Sequence, residues 1–280
     1  MEYRAAATVE EAVALLGDRE DSRPIAGGTD LAVLFADGLR APALLVDVSG
    51  ISAMQGIRRT AEGIAIGAAT TVAEIASRSD LPACLSQGAR AIGSPQIRNL
   101  ATIGGNICNA SPCGDTLAPL VALGAAFVLA SRAGARTVPA EEFFVGPKKT
   151  VLRSGELLVK ILIPASRLAG RSAFRMIGKR NGQAISQVNA AVWLAVEGGT
   201  IREARAAVGS VAPIPLRLRA VEAILAGKAV RRLDMPAVLA SVDSEIAPIS
   251  DVRASVEYRR LVAASLFRDA LAEAAEAAGD

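Results

Sequence analysis

Two pairs of adjacent glycines, Gly27-Gly28 and Gly104-Gly105, restrict this chain more than any other feature. Each follows an apolar run, in Pro24-Ile25-Ala26-Gly27-Gly28-Thr29-Asp30-Leu31 and in Ala101-Thr102-Ile103-Gly104-Gly105-Asn106-Ile107. Adjacent glycines reach positive φ without steric cost and let the backbone come close to a neighbour. Successive free N–H groups in such a turn make an anion-binding concavity. One Gly-Gly pair alone is most often a tight turn between core elements. Two pairs, the second followed by Ser111 and the carboxylate of Asp115, suit a ligand with two phosphates. The dinucleotide fingerprint Gly-x-Gly-x-x-Gly is absent, so Asp47 reads as a strand-end residue and not as a ribose ligand.

Composition narrows the chemistry. The chain has 280 residues, 51% hydrophobic and 21% charged, enough for a full core in one large domain or two. Net charge is only +3, Lys and Arg are scattered, and aromatics are 3%, so no nucleic-acid surface is expected. There is no histidine, which removes His acid–base catalysis, Ser-His-Asp hydrolysis and His-ligated metal from this chain. Cys84, Cys108 and Cys113 form no Cys-x-x-Cys pattern and are too few for a four-cysteine site. Buried, reduced thiols are expected, and no metal ligand is assigned. No apolar run approaches bilayer-spanning length, and Met1-Glu2-Tyr3-Arg4 is unlike a signal peptide; a cytoplasmic protein without a membrane span is expected.

Local patterns give the elements. Tyr3–Ala6, Pro24–Ala26 and Ala43–Val48 read as strands. Thr8-Val9-Glu10-Glu11 is a capping box opening a helix through Leu16, stopped by Gly17. Thr29 or Asp30 is expected to cap the next short helix, which Gly38 ends. Gly63–Gly67 starts a second α/β region, Thr71-Val72-Ala73-Glu74 is another capping box, and Asp80 is expected to cap a helix from Leu81 to about Ile92. The second glycine stretch reads as a loop, followed by a small helix after Asp115. Ala126–Ala130, Arg136–Pro139 and Glu156–Pro164 read as strands of one sheet. Ser166–Arg171 reads as a linker. Ser172–Gly178, Val188–Val196 and Ile201–Val208 follow as three antiparallel strands. Helices are expected at Pro215–Ala226, at Leu233–Val242 and from Ser255 to about Ala277, the last with Leu266, Phe267, Ala270 and Leu271 on its apolar face.

In order and spacing, these stretches resemble the FAD-binding medium subunit of the molybdenum hydroxylases, the family of xanthine dehydrogenase and aerobic carbon monoxide dehydrogenase. The resemblance covers nearly the whole chain. It is carried by Ala26–Leu31, by Arg98-Asn99-Leu100 with Ala101–Asn106, by Asn109–Pro112 with Asp115, and by Gly155-Glu156-Leu157-Leu158. Gly209-Ser210-Val211-Ala212-Pro213 and Asp251-Val252-Arg253-Ala254-Ser255 extend it into the C-terminal half.

The resemblance implies an α+β fold: a two-lobed FAD-binding domain of the p-cresol methylhydroxylase type at 1–168, with lobes of about 1–55 and 56–168. A small α+β domain at 172–280 follows, built on a three-stranded antiparallel sheet and helices. It implies FAD as cofactor, with Ile25, Ala26, Gly27, Gly28, Thr29, Asp30 and Leu31 around the diphosphate. Thr102, Ile103, Gly104, Gly105 and Asn106 would close on it from the other lobe. Asp115, beside Ser111, would accept hydrogen bonds from ribityl or ribose hydroxyls; a helix N-cap is the plainer role for the same carboxylate. Leu158 would touch the flavin ring or the adenine end. The partners implied are a molybdenum-cofactor large subunit and a [2Fe–2S] small subunit, with NAD or another molecule as electron acceptor.

One departure stands out. The family carries aromatic-x-Lys where this chain has Phe174-Arg175-Met176, so Met176 occupies the place of a flavin-proximal lysine. Arg175 or Lys179 would have to supply that charge. Ile92 stands about where the family places an aromatic over the ring. Two rival readings use the same residues: a self-contained flavin oxidase of this fold, and a binding module whose flavin pocket has decayed. The intact glycines and Asp115 argue against decay, and the small C-terminal half argues against a substrate-capping domain.

Overall fold

The computed structural model describes residues 1–38, 40–180 and 182–276. The first lobe runs β1 (Glu2–Ala5), α1 (Val9–Asp18), β2 (Ser22–Ile25), α2 (Leu31–Ala36) and β3 (Leu44–Asp47). Its strands form a parallel sheet in the order β1-β3-β2. Thr8 caps α1 as its pattern predicts, accepting the Glu11 amide at 3.2 Å, and α1 buries Ala12, Val13 and Leu16. Neither Thr29 nor Asp30 caps α2. Asp30 stands at the cap position, but its carboxylate receives no helix amide, and α2 has no buried residue. Asp47 ends β3 and accepts the Tyr3 hydroxyl at 2.5 Å and the Ser49 amide at 2.8 Å.

The second lobe continues with β4 (Ile57–Thr60), β5 (Gly63–Gly67), α3 (Val72–Ser77), α4 (Ala83–Ala91), α5 (Pro95–Leu100), α6 (Ile103–Asn109) and α7 (Leu117–Ala122). Then come β6 (Ala126–Ser131), β7 (Gly134–Pro139), α8 (Ala140–Phe143), β8 (Phe144–Gly146), β9 (Lys149–Thr150) and β10 (Leu157–Pro164). An antiparallel sheet in the order β4-β5-β10-β6-β7 is its frame, and β8 and β9 form a separate two-stranded ribbon. Thr71 caps α3 as expected. Asp80 does not cap α4; it takes a two-pronged bond from Arg78 at 2.6 and 2.7 Å, and the helix starts behind Pro82. The second glycine stretch is not a loop. Thr102 caps α6, so Gly104 and Gly105 lie in its first turn.

The C-terminal half has β11 (Arg171–Gly178), β12 (Ser186–Glu197), β13 (Thr200–Gly209), β14 (Leu216–Arg217), α9 (Arg219–Leu225), α10 (Met235–Glu245) and α11 (Val256–Glu276). The sheet has four antiparallel strands, β11-β12-β13-β14, and not three. The added strand is the start of the segment expected to be helical from Pro215: Leu216 and Arg217 pair with Val208 and Ala207, and the helix begins only at Arg219. Asp234 caps α10 through the Ala237 amide at 3.2 Å. The expected end of the last helix, Ala277, lies outside the described residues.

This sheet is covered on both faces. Phe174, Ala191, Trp193 and Ala207 join the core of the first two lobes. Ala173, Val192, Ala206 and Val208 on the other face pack with Val221, Val242, Phe267 and Leu271 of the C-terminal helices. Alternation along the strands sorts the two sets. The linker wraps the seam: the Trp193 indole N–H donates to Arg167 O at 2.9 Å, with the Arg167 guanidinium 4.5 Å from the ring centre.

Candidate functional site

Two clefts flank the first glycine turn. The larger, about 670 Å³, is bordered by Asp30, by Asn106, Ser111 and Asp115, and by Ile185 and Arg259 of the C-terminal half. The smaller, about 420 Å³, is bordered by Ala26, Gly27, Thr70, Thr71, Leu100 and Thr102. The larger lies in the size range of small-molecule sites.

The first turn is built as its sequence predicts. Gly28 has φ +66°, a conformation that side chains disfavour. A Cβ on Gly27 would lie 1.8 Å from the Leu100 carbonyl oxygen, so only glycine allows this approach between the lobes. Among the described residues, the amides of Gly27, Gly28, Thr29, Asp30 and Leu31 reach no protein acceptor. Ile25 precedes the turn, and its carbonyl accepts the Val48 amide.

The second glycine stretch differs from the expectation. Ile103 donates to Thr70 O at 3.0 Å, Gly104 to Ala68 O at 2.8 Å and Asn106 to Thr102 O at 3.0 Å, and the Gly105 amide is taken by Thr102 Oγ1 at 3.1 Å. The amides of residues 103–106 are therefore spent on the protein. Gly104 is a packing glycine, since a Cβ there would meet the Ala68 carbonyl at 2.6 Å. What this stretch offers a ligand is side chains. Asn106 Oδ1 accepts the Thr116 hydroxyl at 2.6 Å, which fixes the amide and leaves Nδ2 as its free end.

Asp115 is held by two side chains of β12. It is buried, and its Oδ1 accepts Ser186 Oγ at 2.5 Å and Asn189 Nδ2 at 3.2 Å. Among the described residues no protein donor reaches Oδ2, at the cleft. Burial pushes the carboxyl up to about 6, although the Ser186 and Asn189 bonds pull it down. Asp115 is not a helix cap; α7 starts behind Thr116 without a side-chain cap. Ser186 and Asn189 share a face because a β-bulge falls between them: Gly178 pairs with Ser186, Ile177 with Val188 and Met176 with Asn189. Ser186, Gln187 and Asn189 at the head of the otherwise apolar run to Val196 were the available sequence signal.

The substitute cations point elsewhere. Arg175 lies on the opposite face of β11 from Met176 and ion-pairs with Glu273 of α11. Lys179 donates to Val252 O at 2.7 Å. Met176 is half-buried against the core of the first lobes, beside the Asn189 that serves Asp115. Leu158 is buried in β10 and borders neither cleft, whereas Ile92 does border the larger one. Asp251 and Arg259, missed as site residues, also line it, with Arg259 Nη2 2.8 Å from Asp251. Cys84 is buried, and burial pushes its thiol up to about 12. No disulfide or metal-holding group of His, Cys, Asp and Glu occurs among the described residues. No helix among them is long and apolar enough to cross a membrane.

The residues present fit a flavin dinucleotide: a turn of free amides for two phosphates, a close-packed glycine that lets the lobes meet there, and an open carboxylate oxygen for hydroxyls. Comparison with known proteins agrees. Residues 1–166 match the family described as the FAD binding domain in molybdopterin dehydrogenase, and 172–274 match the CO dehydrogenase flavoprotein C-terminal domain. The chain is 34% identical over 278 residues to the carbon monoxide dehydrogenase medium chain of Hydrogenophaga pseudoflava, covering 96% of this chain and 95% of that one. It is 32% identical over 284 residues to the xanthine dehydrogenase FAD-binding subunit of Escherichia coli O157:H7, covering 99% and 97%. Its fold superposes on a chain of the reconstituted CO dehydrogenase from Oligotropha carboxidovorans with a TM-score of 0.93, at 33% identity and over 99% and 98% of the two chains. The chain belongs to the family of FAD-binding medium subunits of the molybdenum hydroxylases.

Proposed function

We propose that this chain is the electron-transfer subunit of a cytoplasmic molybdenum hydroxylase complex. It receives electrons from [2Fe–2S] clusters on a small partner subunit and passes them through FAD to NAD⁺ or another acceptor, while a large partner subunit with the molybdenum cofactor oxidises substrate. The observation that carries this reading is the first glycine turn, whose free amides lie between two clefts, the larger of which Asp115 also lines. The family relatives supply the partners: carbon monoxide dehydrogenase and xanthine dehydrogenase are enzymes of which the matched chains are one subunit.

Bound FAD supplies the exchange between one-electron and two-electron transfer, and the protein positions and tunes it. In this reading the amides of Gly27, Gly28, Thr29 and Asp30 hold the diphosphate, and Thr102 and Asn106 approach it with side chains. Asp115 accepts ribityl or ribose hydroxyls through Oδ2, with Ser186 and Asn189 fixing its other oxygen. Ile92 and Ile185 would give the bound group apolar walls along the larger cleft. No step requires a general base from this chain, in keeping with its lack of histidine. The flavin domain spans 1–168 and the C-terminal domain 172–280 in this scheme.

Purification of the native complex tests the reading. One FAD per copy of this chain, iron and molybdenum in the same peak, and a size fitting a dimer of heterotrimers are expected. A colourless chain that takes up no FAD would sink it. Substrate turnover by this chain alone would favour the self-contained oxidase instead.

A further inference from the structure

Gly146 pairs with Lys149 in the β8–β9 ribbon, so Pro147-Lys148 forms its two-residue turn. Lys148 has φ +59°. Proline at the first turn position with positive φ at the second is the pattern of a type II turn, whose second position favours Gly or Asn. A lysine therefore stands where a glycine is easier. The Lys148 amide donates to Ala110 O at 2.9 Å, and Ala110, the C-cap of α6, is also left-handed at φ 46°. Two non-glycine residues in a disfavoured conformation thus meet across one hydrogen bond at the edge of the larger cleft.

Their geometry places one ammonium. Lys148 Nζ donates to Asn109 Oδ1 at 2.5 Å and lies 4.0 Å from Asp30 Oδ1. Asn109 Nδ2 donates to the same Asp30 oxygen at 3.2 Å. Asp30 ends the first glycine turn, so the cluster joins the turn of free amides to the second lobe. The Asp30 carboxylate repels an anion at that turn, and a cation beside it offsets that repulsion. Among the described cleft-lining residues, the other cations are Arg253 and Arg259 of the C-terminal half, both engaged with Asp251 at 3.3 and 2.8 Å. Lys148 is the cleft-lining cation of the first two lobes, and its ammonium has donors beyond the one given to Asn109.

We infer that Lys148 is a phosphate-binding residue. Its ammonium contacts the diphosphate held by the Gly27–Asp30 turn, with Asn109 and Asp30 holding it in position. The inference rests on the FAD reading above and adds a residue from outside both glycine motifs.

Calorimetric titration of the flavin-stripped full chain with FAD and with riboflavin, which has no phosphate, tests it. The chains compared are wild type, Lys148→Gly, Lys148→Asn and Lys148→Gly/Asp30→Asn, with a thermal melt of each. Gly and Asn both accept positive φ, so the flavin-free melting temperature should hold or rise. FAD affinity should fall about tenfold, or about 1.4 kcal/mol, with riboflavin affinity unchanged. Equal FAD affinity in wild type and Lys148→Gly overturns the inference and leaves the FAD site standing. Full recovery in the double variant also overturns it, because the lysine would then act only by neutralising Asp30. Absence of FAD uptake by wild type overturns the FAD reading and this inference together.

Discussion

Asp115 and Asp251 border the same cleft, and their surroundings push them in opposite directions. For Asp251, burial favours the neutral form, but the Arg253 amide, the Arg259 guanidinium and the Ala254 amide outweigh it and bring the carboxyl to about 2. Its contribution to stability is present above pH 4 and is lost as pH falls toward 2. For Asp115 burial dominates, and its value of about 6 stands above the ordinary 3.8. Between those values the native carboxyl holds a proton that the unfolded chain has released. The group therefore weighs against stability increasingly as pH rises from 4 to 6, and fully at pH 7. A shift of about two units corresponds to roughly 3 kcal/mol. Asp115→Asn should stabilise the chain at pH 7 by an amount of that order, and the gain should shrink toward zero near pH 4. Urea unfolding at several pH values measures it. The same variant should bind FAD at least tenfold more weakly in the proposed site, so stability and affinity part company. A stability gain independent of pH would mean that Asp115 is not held protonated by burial.

The two glycine pairs look alike in sequence and do different work as elements. Gly27 meets the Leu100 backbone, while a Cβ on Gly105 would meet only Thr102 Oγ1, at 3.0 Å. Gly27→Ala must force the first turn off the second lobe, at a cost of roughly 2–4 kcal/mol, the scale of a severe core substitution. Gly105→Val should leave the melting temperature nearly intact and sharply reduce flavin content, because its side chain enters the proposed diphosphate space. Thermal melts with flavin-to-protein ratios separate the two; a Gly27→Ala chain melting like wild type would contradict the close approach. The first glycine turn, both capping boxes and most strands were legible in the sequence, because each depends on neighbours a few residues away, whereas the role of Asp115 stood out only through the family resemblance, its partners lying more than 70 residues away. The helical second glycine pair was not. Glycine disfavours helix, and this turn is secured by the distant Ala68 and Thr70 carbonyls. Ser186 and Asn189 were hidden for a related reason: a bulge in pairing with β11 sets their common face, and no local period encodes it. Arg175 was misread because strand parity turns it toward Glu273.

At the scale of the molecule, the C-terminal sheet belongs to two cores at once, one under the first two lobes and one under its own helices. The larger cleft takes walls from both sides of that seam. Trp193 lies in the seam, 1% exposed and beneath the Arg167 guanidinium, and it is the only tryptophan in the chain. All indole light from this protein therefore originates at the joint between its halves. Dry packing should keep that emission at short wavelength while the halves stay together. Parting them should wet the ring and shift the emission to the red, even where both halves keep their helices and strands. The chain carries its own lamp at the joint, readable without a label by comparing emission colour with far-ultraviolet dichroism during unfolding.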